Sequence, residues 1–221
     1  NSVAHPGILD KHRGNYYARL AEVAWIHSRV RTNAGIIYRQ CKCKYGLGRG
    51  PSGRRGAMDS KAFWGVLKSR GLNFFAGVPD STFGEAYNFM VRDPDIRYVP
   101  AVREDVALGV ASAAYFAGGL GGVIMQNSGI GNIVNPLTSF SLMYKIPVLL
   151  VVGWRGYGGP PNDAPEHWIM GVKTPEIFDL LEVPYQIMEP DTLESDLDGL
   201  LGRIIEESVP GALIVRAGMI S

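Results

Sequence analysis

Four loops in the 221-residue chain carry side chains that could do chemistry, and each follows an apolar stretch. "GVPDS" offers Asp80 and Ser81, "REDVA" offers Glu104, and "NSGIGN" offers Asn127, Ser128, Gly129 and Asn132. "WRG" offers Arg155, and the loop it opens also contains His167. Carboxyls such as Glu104 and Asp80 can hold or transfer a proton. Arginine presents a planar fork to an oxyanion, and histidine donates or titrates near neutrality. The glycine turn leads into a helix whose exposed N–H groups would attract an anion. Each feature also has a plainer structural reading. Asp80 follows a proline as turn residues do, Glu104 sits where an acid complements a helix dipole, and Arg155 and His167 could anchor their own loop. A dinucleotide fingerprint would place its glycines in the first βα turn, with an acid ending the next strand; here they follow the third.

The elements that must position these loops are legible from residue 58 onward. Extended apolar stretches, "NFFAGV", "RYVPAV", "GGVIMQN", "IPVLLVVG", "PYQIM" and "GALIVRA", alternate with helical patterns. This is the signature of βαβ units. Helices are predicted in "DSKAFWGVLKSRG" and over 81–91, 104–117, 131–144, 175–181 and 193–208. Unbroken apolar runs in the third, fourth and sixth strands imply burial on both faces. The expected fold is therefore α/β, an open, mostly parallel sheet with helices on both faces. In such sheets the ligand crevice lies beyond the carboxyl ends of the strands, where all four loops would gather.

With 46% hydrophobic and 19% charged residues, the chain suits one globular core rather than a disordered or fibrous protein. Its net charge of +1 hides an asymmetry. Residues 1–57 hold 11 Lys and Arg against 2 Asp and Glu, whereas residues 58–221 hold 11 against 19. A basic nucleic-acid arm is one reading. A leader outside the fold is the better one, because this segment has no methionine, no steady periodicity and a mixture of Arg, Gly and Cys. The expected division is a leader over 1–57, disordered or not native, and one domain over 58–221 with its natural start at Met58; an organellar transit segment is the alternative. Cys41 and Cys43 both lie in the leader, so the remainder needs no disulfide and fits a reducing, cytoplasmic compartment. No signal-peptide core or membrane-length apolar run occurs.

Glu104 separates the readings best. Asp105 could serve the helix dipole equally well, and the residues that follow, "VALGVASAAYFAGG", are small or apolar on nearly every face. A helix so unguarded is expected to pack against something large, such as another subunit. Glu104 would be carried into that interface, where an unpaired carboxylate is costly. A cofactor ring nitrogen could be the partner it needs.

Together "GVPDS", "REDVALGVASAAYFAGG", "MQNSGIGNIVNPLTSF", "IPVLLVVGWRG" and "DAPEHWIMG", in this order, resemble the thiamine-diphosphate decarboxylases, in particular the sulfopyruvate decarboxylase alpha subunit and phosphonopyruvate decarboxylase family. The resemblance covers residues 58–221 and implies a pyrimidine-binding (PYR) domain. In that family the glutamate matching Glu104 hydrogen-bonds N1′ of the aminopyrimidine, which drives deprotonation of the thiazolium carbon. That carbon attacks a 2-oxo acid, carbon dioxide leaves, and the cofactor stabilises the carbanion. By the same resemblance Asp80 relays a proton, Asn127, Ser128, Gly129 and Asn132 shape the cofactor pocket, and Arg155, His167 and Ser81 meet the anionic substrate. The family's G-D-G motif, which holds the diphosphate and Mg2+, is absent, and "LDGL" is the nearest fragment. The resemblance therefore implies no metal ligand in this chain and a beta subunit that carries the metal and diphosphate half. The expected reaction is sulfopyruvate to sulfoacetaldehyde and CO2. Phosphonopyruvate decarboxylation and a non-catalytic α/β binding module are the alternatives, and neither a membrane nor a nucleic acid is an expected partner.

Overall fold

Side chains of an extended run point alternately to opposite faces, and the apolar runs use this alternation to build two cores at once. The computed structural model describes residues 56–221, so the expected leader lies, except for its last two residues, outside the described residues. Six strands form one sheet: β1 (Phe74–Gly77), β2 (Arg97–Pro100), β3 (Gly122–Gln126), β4 (Leu149–Trp154), β5 (Tyr185–Ile187) and β6 (Gly211–Arg216). The order is β2-β1-β3-β4-β6-β5 and every pairing is parallel. In β4, Leu149 and Val151 join one core while Leu150, Val152 and Trp154 join the other.

Helices α1 (Ser60–Lys68), α2 (Gly84–Arg92) and α6 (Leu193–Glu206) cover the first face. The second face is covered by α3 (Glu104–Phe116), α4 (Ile130–Pro136) and α5 (Trp168–Leu180). The placement follows from right-handed crossovers. The chain steps from β1 outward to β2 and then returns past β1 to β3, so α2 and α3 fall on opposite sides. That reversal between β1 and β3 is a topological switch point, where the crevice of an open α/β sheet lies. On the first face Asp59 Oδ1 caps α1 by accepting from Ala62 N at 3.0 Å. Met58 pairs with the chain's last residues, donating from N to Met219 O and accepting from Ser221 N, each at 2.9 Å.

All six predicted strands and all six predicted helices are present, with three differences of detail. The predicted 81–91 helix is a 3-10 turn over Ser81–Phe83 followed by α2, and the predicted 131–144 helix is α4 followed by a π-helical run over Leu137–Leu142. The predicted start at Pro175 is seven residues late, because α5 runs through that proline. Proline lacks the N–H that would reach Gly171 O. The indole of Trp154 takes that carbonyl instead, Nε1 donating at 2.7 Å, so the helix leaves no buried acceptor unpaired at this point. Among the described residues no helix is long and apolar enough to cross a membrane.

Candidate functional site

The loops after β1, β2, β3 and β4 all leave the carboxyl edge of the sheet, and the 3-10 turn Asn127–Gly129 lies between two clusters of polar groups. Glu104, the first residue of α3, belongs to one cluster. Its neighbours divide the electrostatic work. Arg103 grips Asp105 with two bonds, Nε to Oδ1 at 3.2 Å and Nη2 to Oδ2 at 2.9 Å, and Asp105 Oδ1 also accepts from Val106 N at 2.8 Å. The Arg103 guanidinium holds the Asp105 carboxyl below its ordinary value. Asp105 therefore serves the helix start, and Glu104 is free to reach across to α4. There Asn132 Nδ2 donates to Glu104 Oε2 at 2.7 Å. The rest of the Glu104 side chain lies on Gly129, where a Cβ would stand 2.5 Å from Cγ and 2.7 Å from both Cδ and Oε1. Gly129 has ordinary helical dihedrals, φ −66 and ψ −16, so here glycine is required by the space Glu104 fills and not by the backbone.

The second cluster begins at Asp80, which is buried between β1 and β4. Its Oδ1 accepts from Thr82 N at 3.1 Å, whereas Oδ2 has no hydrogen-bond partner among the described residues. Only a glycine fits beside it on β4, since a Cβ on Gly153 would lie 2.0 Å from Oδ2. Burial pushes the Asp80 carboxyl above its ordinary value, against the pull of the Thr82 N–H and the charges on Arg155 and His167. Arg155 donates from Nε and Nη2 to Asp163 at 2.8 and 2.7 Å, and from Nη1 to Ser81 Oγ at 3.1 Å. His167 Nδ1 lies 3.2 Å from Asp163 Oδ1. Asp163 Oδ2 also accepts from Gly156 N at 2.7 Å, where the chain turns back with a left-handed φ of +73.

Asn127 joins the clusters. Its Oδ1 accepts from Arg155 N at 3.1 Å, and its Nδ2 donates to Arg155 O at 2.9 Å and to Thr174 Oγ1 at 2.8 Å. Asn127 is 1% exposed and its amide is fully engaged, so it braces the site instead of forming the pocket wall the sequence suggests. Arg155 differs from expectation too, because its fork is already closed on Asp163 and two N–H bonds remain for other partners. Ser128 and Asn132 are exposed, Gly129 is buried, and Ser81 Oγ accepts from Arg155. Asp163 and Thr174 belong to this hydrogen-bond network, and sequence reasoning did not single them out. An acid between Arg155 and His167 in one loop was the available signal for Asp163; the hydroxyl of Thr174, in the middle of a helix, carried none. Among the described residues no three His, Cys, Asp or Glu side chains gather to hold a metal ion.

Comparison with known proteins agrees with this fold. Residues 60–173 match the family described as thiamine pyrophosphate enzyme, N-terminal TPP binding domain. A phosphonopyruvate decarboxylase of Streptomyces viridochromogenes is 39% identical over 128 residues, 58% of this chain and 32% of that protein. A sulfopyruvate decarboxylase subunit alpha of Methanothermobacter thermautotrophicus is 36% identical over 128 residues, 58% of this chain and 76% of that one. The chain thus spans about a third of the first relative and three quarters of the second. The crystal structure of benzoylformate decarboxylase from Polynucleobacter necessarius shares the fold, with a TM-score of 0.59 at 15% identity over 73% of this chain and 30% of that one. A parallel sheet with its switch point beside Glu104, and a family match that spans β1 to α5, place the chain among the N-terminal TPP-binding domains of the thiamine pyrophosphate enzymes.

Proposed function

We propose that the chain is the alpha subunit of a two-chain thiamine-diphosphate decarboxylase that converts sulfopyruvate to sulfoacetaldehyde and CO2. The observation that carries this reading is the seat of Glu104: a partly exposed carboxylate at the carboxyl edge of the sheet, held by Asn132 and fitted to a glycine. A carboxylate so placed suits a ring N–H or a protonatable ring nitrogen, and the aminopyrimidine of thiamine diphosphate offers one. When bound, the cofactor supplies a nucleophilic carbon and an electron sink. Glu104 would hold the aminopyrimidine N1′, with Gly129 and Asn132 fixing the carboxylate. Asp80, whose carboxyl burial pushes above its ordinary value, would hold a proton for release to product. Arg155, Ser81 and His167 would face the acid's anionic end.

The diphosphate and Mg2+ belong, on this reading, to a beta subunit. Relatives from three methanogens are named alpha subunits. The outer face of α3 fits a partner as well. Val106, Gly109, Ala113 and Phe116 recur at three- and four-residue spacing and are all exposed, Val106 at 47% and Phe116 at 69%. Such a stripe is the pattern of a helix that packs on both sides. A cytoplasmic setting suits residues 58–221, which contain no cysteine. Phosphonopyruvate is the second substrate to weigh, since a phosphonopyruvate decarboxylase is as similar as the alpha subunits.

The test is co-expression with a candidate beta chain, thiamine diphosphate and Mg2+, and assay of CO2 release from sulfopyruvate, phosphonopyruvate and pyruvate. Fastest turnover of sulfopyruvate is expected. Preference for phosphonopyruvate would transfer the substrate assignment, and no turnover of any 2-oxo acid by an assembled complex would refute the enzyme reading.

A further inference from the structure

The two carboxylate oxygens of Asp163 face five nitrogen atoms. Oδ1 accepts from Arg155 Nη2 and Ala164 N, each at 2.7 Å, and faces His167 Nδ1 at 3.2 Å. Oδ2 accepts from Arg155 Nε at 2.8 Å and Gly156 N at 2.7 Å. Four of these five groups, two guanidinium N–H bonds and two backbone N–H bonds, can only donate. They hold the Asp163 carboxyl far below the usual carboxylate range, the Arg155 guanidinium foremost. An ionised carboxylate only accepts, so the fifth partner must also bring a proton. That fixes the chemistry of the ring: a neutral imidazole carries one N–H, and if Nδ1 carries it the lone pair is on Nε2.

We propose that Asp163 is a positioning residue that holds His167 as the Nδ1–H tautomer and closes the Arg155 fork, so that neutral His167 meets a ligand through Nε2 as a proton acceptor. His167 then donates through Nε2 only once it is protonated. On the decarboxylase reading above, on which this consequence rests, His167 contacts the substrate anion only as imidazolium, and Arg155 contacts it through the two N–H bonds that Asp163 and Ser81 leave over. Asp163 therefore decides how two cationic side chains share one anion. A loop acid that merely anchored residues 155–167 would leave the imidazole tautomer to solvent.

The test reads the tautomer directly. Nitrogen-15 shifts of the histidine side chains are recorded on the full chain, with His167 assigned by the signal lost in His167→Gln. Above the imidazolium range, a protonated-nitrogen shift at Nδ1 and a bare-nitrogen shift at Nε2 are expected, in a ratio of about ten to one, the tenfold that 1.4 kcal/mol confers. Asp163→Asn keeps the size of the side chain but replaces one acceptor oxygen with a donor; in it the ratio should fall to about one to one or below, as a bond worth roughly that much is lost. A dominant Nε2–H form in the unsubstituted chain overturns the proposal, and so does an unchanged Nδ1–H pattern in a folded Asp163→Asn. Should that variant not fold, the unsubstituted chain decides alone. The measurement needs neither cofactor nor substrate, so its failure and an absence of decarboxylation are separate results.

Discussion

Replacing Gly129 with alanine should disable the site while sparing the fold. Carbon atoms in contact sit about 3.5 Å apart at their optimum, and the added Cβ would stand 2.5 Å from Glu104 Cγ. The glutamate must then withdraw by about 1 Å. It has somewhere to go, because Glu104 is partly exposed and, among the described residues, its side chain is hydrogen-bonded only by Asn132. The helix itself accepts alanine, since Gly129 already has helical dihedrals. The expected stability change is therefore small, within about 1 kcal/mol either way once the helix preference of alanine is counted. Catalysis is less tolerant, as a misplacement of about 1 Å costs on the order of 100-fold. The assay pairs turnover of the assembled complex with thermal melting of the same sample, and Gly131→Ala is the control. Gly131 is exposed with nothing within 4 Å of a Cβ, so its substitution should stabilise slightly and leave the rate unchanged. Normal turnover in Gly129→Ala, or a loss shared equally by both variants, would refute the assignment of Glu104 to the reaction.

Glu104→Gln should still assemble with a partner but lose turnover and cofactor proton exchange by about two orders of magnitude or more, measured by exchange into deuterated water; a mere dipole acid would cost only about 0.3 to 1 kcal/mol of stability. Asp80→Asn should raise the melting temperature and slow the reaction. Burial lifts the Asp80 carboxyl, so the folded state holds its proton to higher pH than the unfolded chain does, and stability is lost as pH rises through the folded value. The asparagine variant should lack that loss, with a gain of about 2 to 4 °C per kcal/mol at neutral pH and a smaller one below pH 4; equal melting of the two proteins at neutral pH would contradict the strain. The chain without a partner should bind magnesium thiamine diphosphate weakly, as no three-acid or histidine cluster is available among the described residues; tight, metal-dependent binding in a calorimetric titration would refute the shared-site reading.

The parts of this molecule that follow from local rules were readable in its sequence. Strands buried on both faces announce themselves as unbroken apolar runs, and β3, β4 and β6 do so. The loops that end parallel strands must share an edge, which brought Asp80, Glu104, Asn127 and Arg155 into view before any coordinate. What stayed hidden depends on partners distant in the chain. Trp154 satisfies the carbonyl that Pro175 strands, and this lets a helix pass through a residue that looks like its beginning. Asn127 could have lined a pocket or braced a loop. Its choice is settled by Arg155, 28 residues on, and Thr174, 47 residues on. The roles of Glu104 and Asp105 were separable only in part, because sequence shows two adjacent acids but not that Arg103 turns back to grip the second.

The hold of Asn127 on Arg155 has a consequence for how such a site can diversify. Both bonds go to the main chain of residue 155, one to its N–H and one to its carbonyl. The arginine side chain takes no part. Position 155 is thus a socket: any residue other than proline, which has no N–H to offer, can be plugged in with the β4 loop still fastened to the turn that carries Gly129. On the proposed function, reach, charge and shape toward a substrate could be exchanged by point substitution, while the seat of Glu104 two residues beyond Asn127 stays in register. A scaffold wired in this way separates the choice of substrate from the upkeep of the chemistry.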